Sequence, residues 1–100
     1  MPRKIKSLTD KVREIFDRDN VQVNLKDQRI ECYWMLDPRG KVWVPYGGGP
    51  LYHDQAKDEA RWLAKHIEEF RSLLPKAIKD WPIACGELQT STFPGIFHVA

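Results

Sequence analysis

The cysteines and histidines are the side chains with the clearest capacity for chemistry, as nucleophile and base or as metal ligands. The chain contains two cysteines, Cys32 and Cys85, and three histidines, His53, His66 and His98. A thiolate nucleophile needs a neighbouring base or cation, and zinc ligands usually occur in pairs at short spacings. These five residues are scattered and form no such pair. We therefore expect two reduced structural cysteines without a disulfide, no metal site and no cofactor.

Two other features, a glycine-rich run and two acidic pairs, partly resemble a phosphate-binding loop and a catalytic acid–base pair. A Gly-Gly-Gly-Pro run at residues 47–50 precedes a predicted helix, where glycine amides could hold an anion. No Lys-Ser or Lys-Thr pair follows it, so the phosphate-loop motif is incomplete. The acidic pairs at residues 58–59 and 68–69 lie along an exposed helix and need no catalytic role. The sequence therefore predicts a protein that is not an enzyme.

Aromatic residues favour a binding function. Four tryptophans, three tyrosines and four phenylalanines occur in 100 residues, and Trp and Tyr contribute much of the energy of protein interfaces. Strand alternation places Tyr33, Met35 and Trp43 on one face of a predicted hairpin. With charged neighbours at its rim, the predicted partner-binding residues are Tyr33, Met35, Trp43, Glu31, Arg39 and Lys41. The alternative is that the first helix covers this face and makes it a second small core.

Basic residues near the N-terminus indicate a second class of partner. Arg3, Lys4 and Lys6 could contact phosphates while the aromatic sheet face stacked bases. The chain has 16 Lys and Arg against 14 Asp and Glu, a formal net charge of +2. So small an excess gives little attraction to a phosphate backbone. Nucleic-acid binding is therefore the alternative to protein binding.

The clearest structural element is a β-hairpin at residues 30–46. Two β-rich runs flank Asp-Pro-Arg-Gly at residues 37–40, and proline and glycine there suit a type I turn followed by a left-handed residue. A three-residue loop keeps one face apolar and fixes the register. The predicted pairs are Asp37 with Lys41, Leu36 with Val42, Met35 with Trp43 and Trp34 with Val44. Because Pro45 cannot donate to a ladder, the third strand is expected at an edge or to end there.

Helical periodicity near the N-terminus predicts a first helix. Ser7 can cap it, and the helix should extend over residues 8–18. Its predicted inner residues are Leu8, Val12, Ile15 and Phe16. Alternation of Val21, Val23 and Leu25 with polar residues then predicts a half-buried strand.

A longer helix is predicted after the glycines. Asp54 can cap it, and it spans residues 54–74, where Pro75 either stops it or starts a short second helix through Lys79. Its predicted inner residues are Ala56, Ala60, Leu63, Ile67, Phe70 and Leu74. Trp62 lies beside this stripe, either at the rim of the core or in contact with a partner. From residue 87 onward, β-branched and aromatic residues around a Pro-Gly turn predict one or two short strands.

These elements predict a single α+β domain over residues 1–100, with residues 1–6 as a basic arm. The expected order is α-β-β-β-α-β, and the long helix packs on an antiparallel sheet of three or more strands. The chain has no apolar run long enough to span a membrane and no secretion signal, so we expect a cytoplasmic protein that does not bind membranes.

The sequence favours a small non-catalytic binding protein that docks on a protein partner through its aromatic face. Its size suits an inhibitor or adaptor, such as those that phages and other mobile elements encode against host systems. A homodimer, in which the partner is a second copy of the chain, is a further arrangement that the sequence leaves open.

Overall fold

The computed structural model describes residues 6–36, 42–43, 50–51, 53–88 and 97–99. Two α-helices, six strands and two 3-10 turns lie in these ranges. The helices are α1 (Leu8–Phe16) and α2 (His53–Glu69), and the 3-10 turns are Arg71–Leu73 and Lys76–Ile78. The strands are β1 (Val21–Asn24), β2 (Arg29–Leu36), β3 (Val42–Trp43), β4 (Pro50–Leu51), β5 (Ile83–Glu87) and β6 (Phe97–Val99). The predicted α+β class is confirmed.

The sheet is built around β2, the longest strand. Its order is β4-β3-β2-β5-β6, and β1 pairs with β2 beside this path. The strands β1 and β3 are antiparallel to β2, whereas β5 is parallel to it. The sheet is therefore mixed rather than wholly antiparallel. The difference arises because the chain crosses over through α2 before β5, and such a crossover returns a strand in the parallel direction.

The hairpin register is confirmed where the structure describes it. Met35 is opposite Trp43 and Leu36 is opposite Val42, as a three-residue loop requires. The turn itself and the remaining predicted pairs lie outside the described residues. Of the two expectations for β3, the edge position is wrong, because β4 pairs with the other side of β3, and the end near Pro45 lies outside the described residues.

Local capping determines the ends of α1. The Ser7 hydroxyl accepts a hydrogen bond from the Asp10 amide at 3.1 Å, as a capping residue should. The helix ends earlier than predicted, because Asp17 adopts a left-handed conformation with φ of 54°. Val12 and Phe16 are buried, whereas Ile15 is exposed, so the inner stripe is narrower than expected.

Side chains of α1 also form hydrogen bonds with the main-chain groups of β1 that point away from β2. The Tyr33 amide donates to the Asn20 carbonyl at 3.0 Å, so the alternating ladder leaves the main chains of Val21 and Val23 facing outward. Arg13 Nε donates to the Val21 carbonyl at 2.9 Å. The Val23 amide donates to Thr9 Oγ1 at 2.9 Å. Among the described strands only β2 pairs with β1, and α1 supplies hydrogen bonds at the other edge.

The main core lies between α2 and one face of the sheet, and α1 closes one side. Its buried residues include Val12, Phe16, Val21, Ile30, Cys32, Trp34, Ala56, Ala60, Leu63, Ile67, Leu74, Ile78 and Ile83. Leu25, expected in the strand, is instead in the turn between β1 and β2 and is exposed. The other face of the sheet carries the alternate residues of β2, including Glu31 and Tyr33.

The long helix differs from its prediction at both ends. It begins at His53, so Asp54 is within the helix rather than before it, and it ends at Glu69. The chain then tightens into 3-10 turns. Phe70 has left the helical path and is exposed, which corrects its placement in the core. The other predicted inner residues of this helix are buried.

The C-terminal strands are partly as expected. The short strand β6 falls inside the predicted segment. The strand β5 begins at Ile83, before that segment, and the sequence did not indicate it. Its apolar start has neither helical nor alternating periodicity, as is common for strands buried on both sides.

Candidate partner-binding surface

Tyr33, the first residue of the predicted aromatic face, is buried, with 4% of its surface exposed. Its hydroxyl donates to the Asp19 carbonyl at 3.0 Å and accepts from Arg13 Nη2 at 3.1 Å. Burial raises the pKa of the Tyr33 phenol, while the charge and hydrogen bond of Arg13 act in the opposite direction. Tyr33 therefore connects β2 to α1 and is a structural residue rather than an open contact.

Glu31, predicted at the rim, is also internal, with 1% of its surface exposed. Its carboxylate accepts hydrogen bonds from Gln22 at 2.8 Å and Asn24 at 3.2 Å. Arg29 pairs with the same carboxylate. A buried charge is stable only when it is paired and hydrogen-bonded, and these three donors meet that requirement. The placement of Glu31 on an open surface is thus corrected.

The two alternatives for this face are now resolved in part. The face is not open at Tyr33, because α1 contacts it there. The contact is made by the polar side chain of Arg13 and not by apolar residues of the helix. The apolar residues Val12 and Phe16 of the same helix belong to the main core instead. The side chains of Met35 and Trp43, and the whole of Arg39 and Lys41, lie outside the described residues, so their role stays a prediction.

A different aromatic cluster lies partly exposed along the flank of α2 next to α1. The Trp62 and His66 rings stack at 4.9 Å between centroids with 9° between planes. The Phe70 ring lies 4.8 Å beyond His66. Trp62 is 47% exposed and Phe70 is 43% exposed. We call Trp62, His66 and Phe70 the α2 aromatic stripe.

The α2 aromatic stripe is held in place from the side of α1. Phe16 meets the edge of the His66 ring at 5.8 Å. The Arg18 guanidinium lies 5.3 Å from the centre of the Trp62 ring, within cation–π range. The same arginine pairs with Glu59 at 3.5 Å. These contacts fix the orientation of rings that remain half open to water.

A groove of about 170 Å³ lies beside Trp62 and His66 and is also lined by Lys65 and Glu69. Lys65 and Glu69 are both exposed, so the groove has one positive and one negative border. Leu73, in the 3-10 turn after the helix, is 54% exposed. The result is an apolar and aromatic strip with charged margins.

The sequence held a signal for this stripe. Trp62, His66 and Phe70 follow one another at intervals of four, which places them on one side of a helix. Sequence reasoning identified Trp62 as a possible contact but assigned Phe70 to the core, and it treated His66 only as a scattered histidine. The spacing could have found the stripe, but its exposure depends on where the helix ends.

The two cysteines are brought together by the sheet. Cys32 of β2 and Cys85 of β5 are direct partners in the parallel register. Burial raises the pKa of the Cys32 thiol, and the nearby Cys85 raises it further. Burial also raises the pKa of Cys85, whereas the charge of Arg61 lowers it. Both thiols are free, and Cys32 is buried as the sequence predicts.

Other predicted sites have less support. Within the described ranges, no three His, Cys, Asp or Glu side chains are grouped as metal ligands would be. Lys6 of the basic arm forms an exposed ion pair with Glu14, while Arg3 and Lys4 lie outside the description. Neither of the helices that the structure describes has the length and apolar character to cross a membrane.

No family model matches the chain, and no curated protein or solved structure is significantly similar to it.

Proposed function

We propose that this chain is a small non-catalytic binding protein that docks on a protein partner, as an inhibitor or adaptor. The observation that carries the proposal is the half-exposed α2 aromatic stripe. Large apolar patches on the surface of a soluble domain usually mark partner surfaces, and Trp is the residue most enriched at their energetic centres.

The geometry of the stripe suits binding in a second way. Trp62 is already stacked on His66 and covered on one side by Arg18. A ring held in its bound orientation loses little conformational entropy when a partner covers it. The exposed charges of Lys65 and Glu69 lie beside the rings, where a polar rim fixes register rather than supplying most of the energy. The partner should present apolar side chains flanked by charges of both signs.

The proposal moves the main contact from the hairpin to α2. Met35, Trp43, Arg39 and Lys41 remain predicted as a second contact region, whereas Tyr33 and Glu31 no longer belong to it. The proposed location is the cytoplasm, where unpaired thiols such as Cys32 and Cys85 are normally reduced.

The test is an affinity pull-down from cytosolic extract of the native host, with and without nuclease, using the wild type and two variants. Trp62→Ala removes the centre of the stripe. Leu25→Ala is the matched control, since Leu25 is 64% exposed and lies in the β1–β2 turn. We expect a stoichiometric protein that survives nuclease, is lost with Trp62→Ala and is retained with Leu25→Ala. Leu25→Ala should keep a Tm close to that of the wild type, whereas Trp62→Ala should lower the Tm modestly by removing the contacts with His66 and Arg18, so both variants are assayed well below their Tm.

Three results would contradict the proposal. Undiminished recovery by Trp62→Ala would show that the stripe is not the contact. Recovery that disappears with nuclease would favour the nucleic-acid alternative, which requires the arm at Arg3, Lys4 and Lys6. A wild-type dimer in light scattering that Trp62→Ala dissociates would show that a second copy occupies the stripe.

A further inference from the structure

The two cysteines are far apart in the sequence but adjacent in the sheet. Cys32 and Cys85 are aligned in the parallel ladder, between the pairs Ile30–Ile83 and Trp34–Glu87. Neighbouring strands lie about 4.8 Å apart, which is within the Cα separation that a disulfide spans. Paired residues point to the same face, and both cysteines pack against the main core. The fold thus aligns the two thiols side by side.

The two thiols differ in access. Cys32 has no exposed surface, whereas Cys85 is only partly buried. Burial raises the pKa of the Cys85 thiol, and the positive charge of Arg61 on α2 offsets part of that rise. A reagent from solution can therefore reach Cys85, while Cys32 can react only with the group beside it.

We propose that Cys32 and Cys85 form an oxidation site that closes to an intramolecular disulfide when the protein meets a hydroperoxide. The Cys85 thiolate attacks the peroxide oxygen, breaks the O–O bond and becomes a sulfenic acid. The leaving oxygen takes a proton and departs as water or an alcohol. The Cys32 thiol then attacks the sulfenic sulfur, forming the S–S bond, and its proton leaves with the hydroxide as water. Two thiols are oxidised and one hydroperoxide is reduced.

Closure requires a small movement of the sheet. Disulfide Cβ atoms lie about 3.8 Å apart, so the two Cβ atoms must move about 1 Å closer by tilting toward each other, while the Cα separation stays within the range that a disulfide spans. The new bond joins strands that lie on opposite sides of α2 in the chain, so it closes a long loop. Such a loop restricts the unfolded chain, and we expect the oxidised protein to have a higher Tm.

The experiment treats the reduced, purified protein with hydrogen peroxide and measures intact mass, free thiols in denaturant and linked peptides. We expect the mass to fall by that of two hydrogen atoms, both thiols to disappear, and the Cys32 and Cys85 peptides to be joined. A dithiol reductant should reverse each change. Two thiols that survive the treatment, or linkage only between molecules, would overturn the proposal.

Single variants test the order of the steps. In Cys32→Ser the sulfenic acid has no resolving thiol, so Cys85 should be labelled by a sulfenic-acid reagent. In Cys85→Ser the buried Cys32 should stay unmodified. Cys32→Ala serves in place of the serine variant if a buried hydroxyl prevents folding. Labelling of Cys32 rather than Cys85 would contradict the proposed order.

Discussion

At the scale of single residues, Arg13 connects α1 to both β1 and β2. Its guanidinium donates to the Val21 carbonyl and to the Tyr33 hydroxyl, and that hydroxyl in turn donates to Asp19. One side chain of α1 therefore holds the start of β1 and the middle of β2. Hydrogen bonds to a charged group contribute about 1.5–3 kcal/mol each when a partner would otherwise be left unsatisfied.

Tyr33→Phe tests this connection. The variant keeps the ring but leaves Arg13 and the Asp19 carbonyl without the hydroxyl, so the free energy of unfolding at pH 7 should fall by about 1–2 kcal/mol. Urea unfolding followed by circular dichroism measures the difference.

The same variant has a predictable pH dependence. Because burial raises the pKa of the folded-state Tyr33 phenol, the unfolded state ionises first as pH rises through about 10. The stability associated with this group is complete below that pH and is lost above it. Tyr33→Phe lacks this loss, so its stability deficit should narrow between pH 9 and about 11. Cys32 and Cys85 titrate equally in both proteins, and a deficit independent of pH would contradict the assignment.

At the scale of elements, the β1–β2 turn contains a backbone conformation that its sequence does not favour. Gln28 has φ of 53°, in the left-handed region that costs about 1 kcal/mol for a residue with a Cβ atom. The Asn24 side chain accepts from the Asp27 amide at 2.9 Å and holds the turn closed. The turn is therefore stabilised by Asn24 while Gln28 is strained.

Gln28→Gly should raise the free energy of unfolding by up to about 1 kcal/mol, because glycine adopts this conformation without a steric penalty. Lys26→Gly is the control in the same exposed turn. It has no such penalty to relieve, so it should lower stability through the greater entropy of the unfolded chain. Chemical denaturation of both variants gives the comparison, and equal effects would rule out strain at Gln28.

Elements with a complete local signal were predictable from the sequence. The Ser7 cap predicted the start of α1, and the Asp-Pro-Arg-Gly turn at residues 37–40 predicted the register of β2 with β3. The strand β5 was not predictable from its own short apolar run. It is a strand because it pairs with β2, and the whole of α2 separates the two strands in the sequence. Local patterns carry no information about such distant pairing.

The candidate site shows the same division. Alternation correctly implied that Tyr33 is on the face opposite Cys32, but burial of Tyr33 depends on where Arg13 reaches. Phe70 fits the inner stripe by spacing, yet the helix ends one residue before it. Spacing therefore predicted which residues share a side, while exposure depended on the tertiary arrangement.

At the scale of the whole molecule, β2 is the centre of the fold. It pairs with β1, β3 and β5, and α2 covers its core face. Local opening at the periphery can leave this arrangement intact, whereas exposure of the β2 backbone requires strands on both sides to separate. The free energy of opening should therefore be highest in β2 and β5.

Native-state hydrogen exchange tests this expectation. The amides of Cys32 and Ala84, in the paired centre of the two strands, should exchange most slowly, while those of the turn at residues 25–28 should exchange fastest. Amides of α1 that outlast those of β2 would show that the helix, rather than the central strands, forms the most stable unit.

The hydrogen bonds from Thr9 and Arg13 to the edge of β1 have a consequence for the protein in a crowded cell. An uncovered edge strand is a template on which another chain can add its own strand. Here the template is occupied by side chains of a helix that precedes it in the chain. Cleavage within α1, or unfolding of that helix, would uncover the edge and would also remove Val12 and Phe16 from the core. Damage at α1 would thus make β1 a template for intermolecular β-sheet.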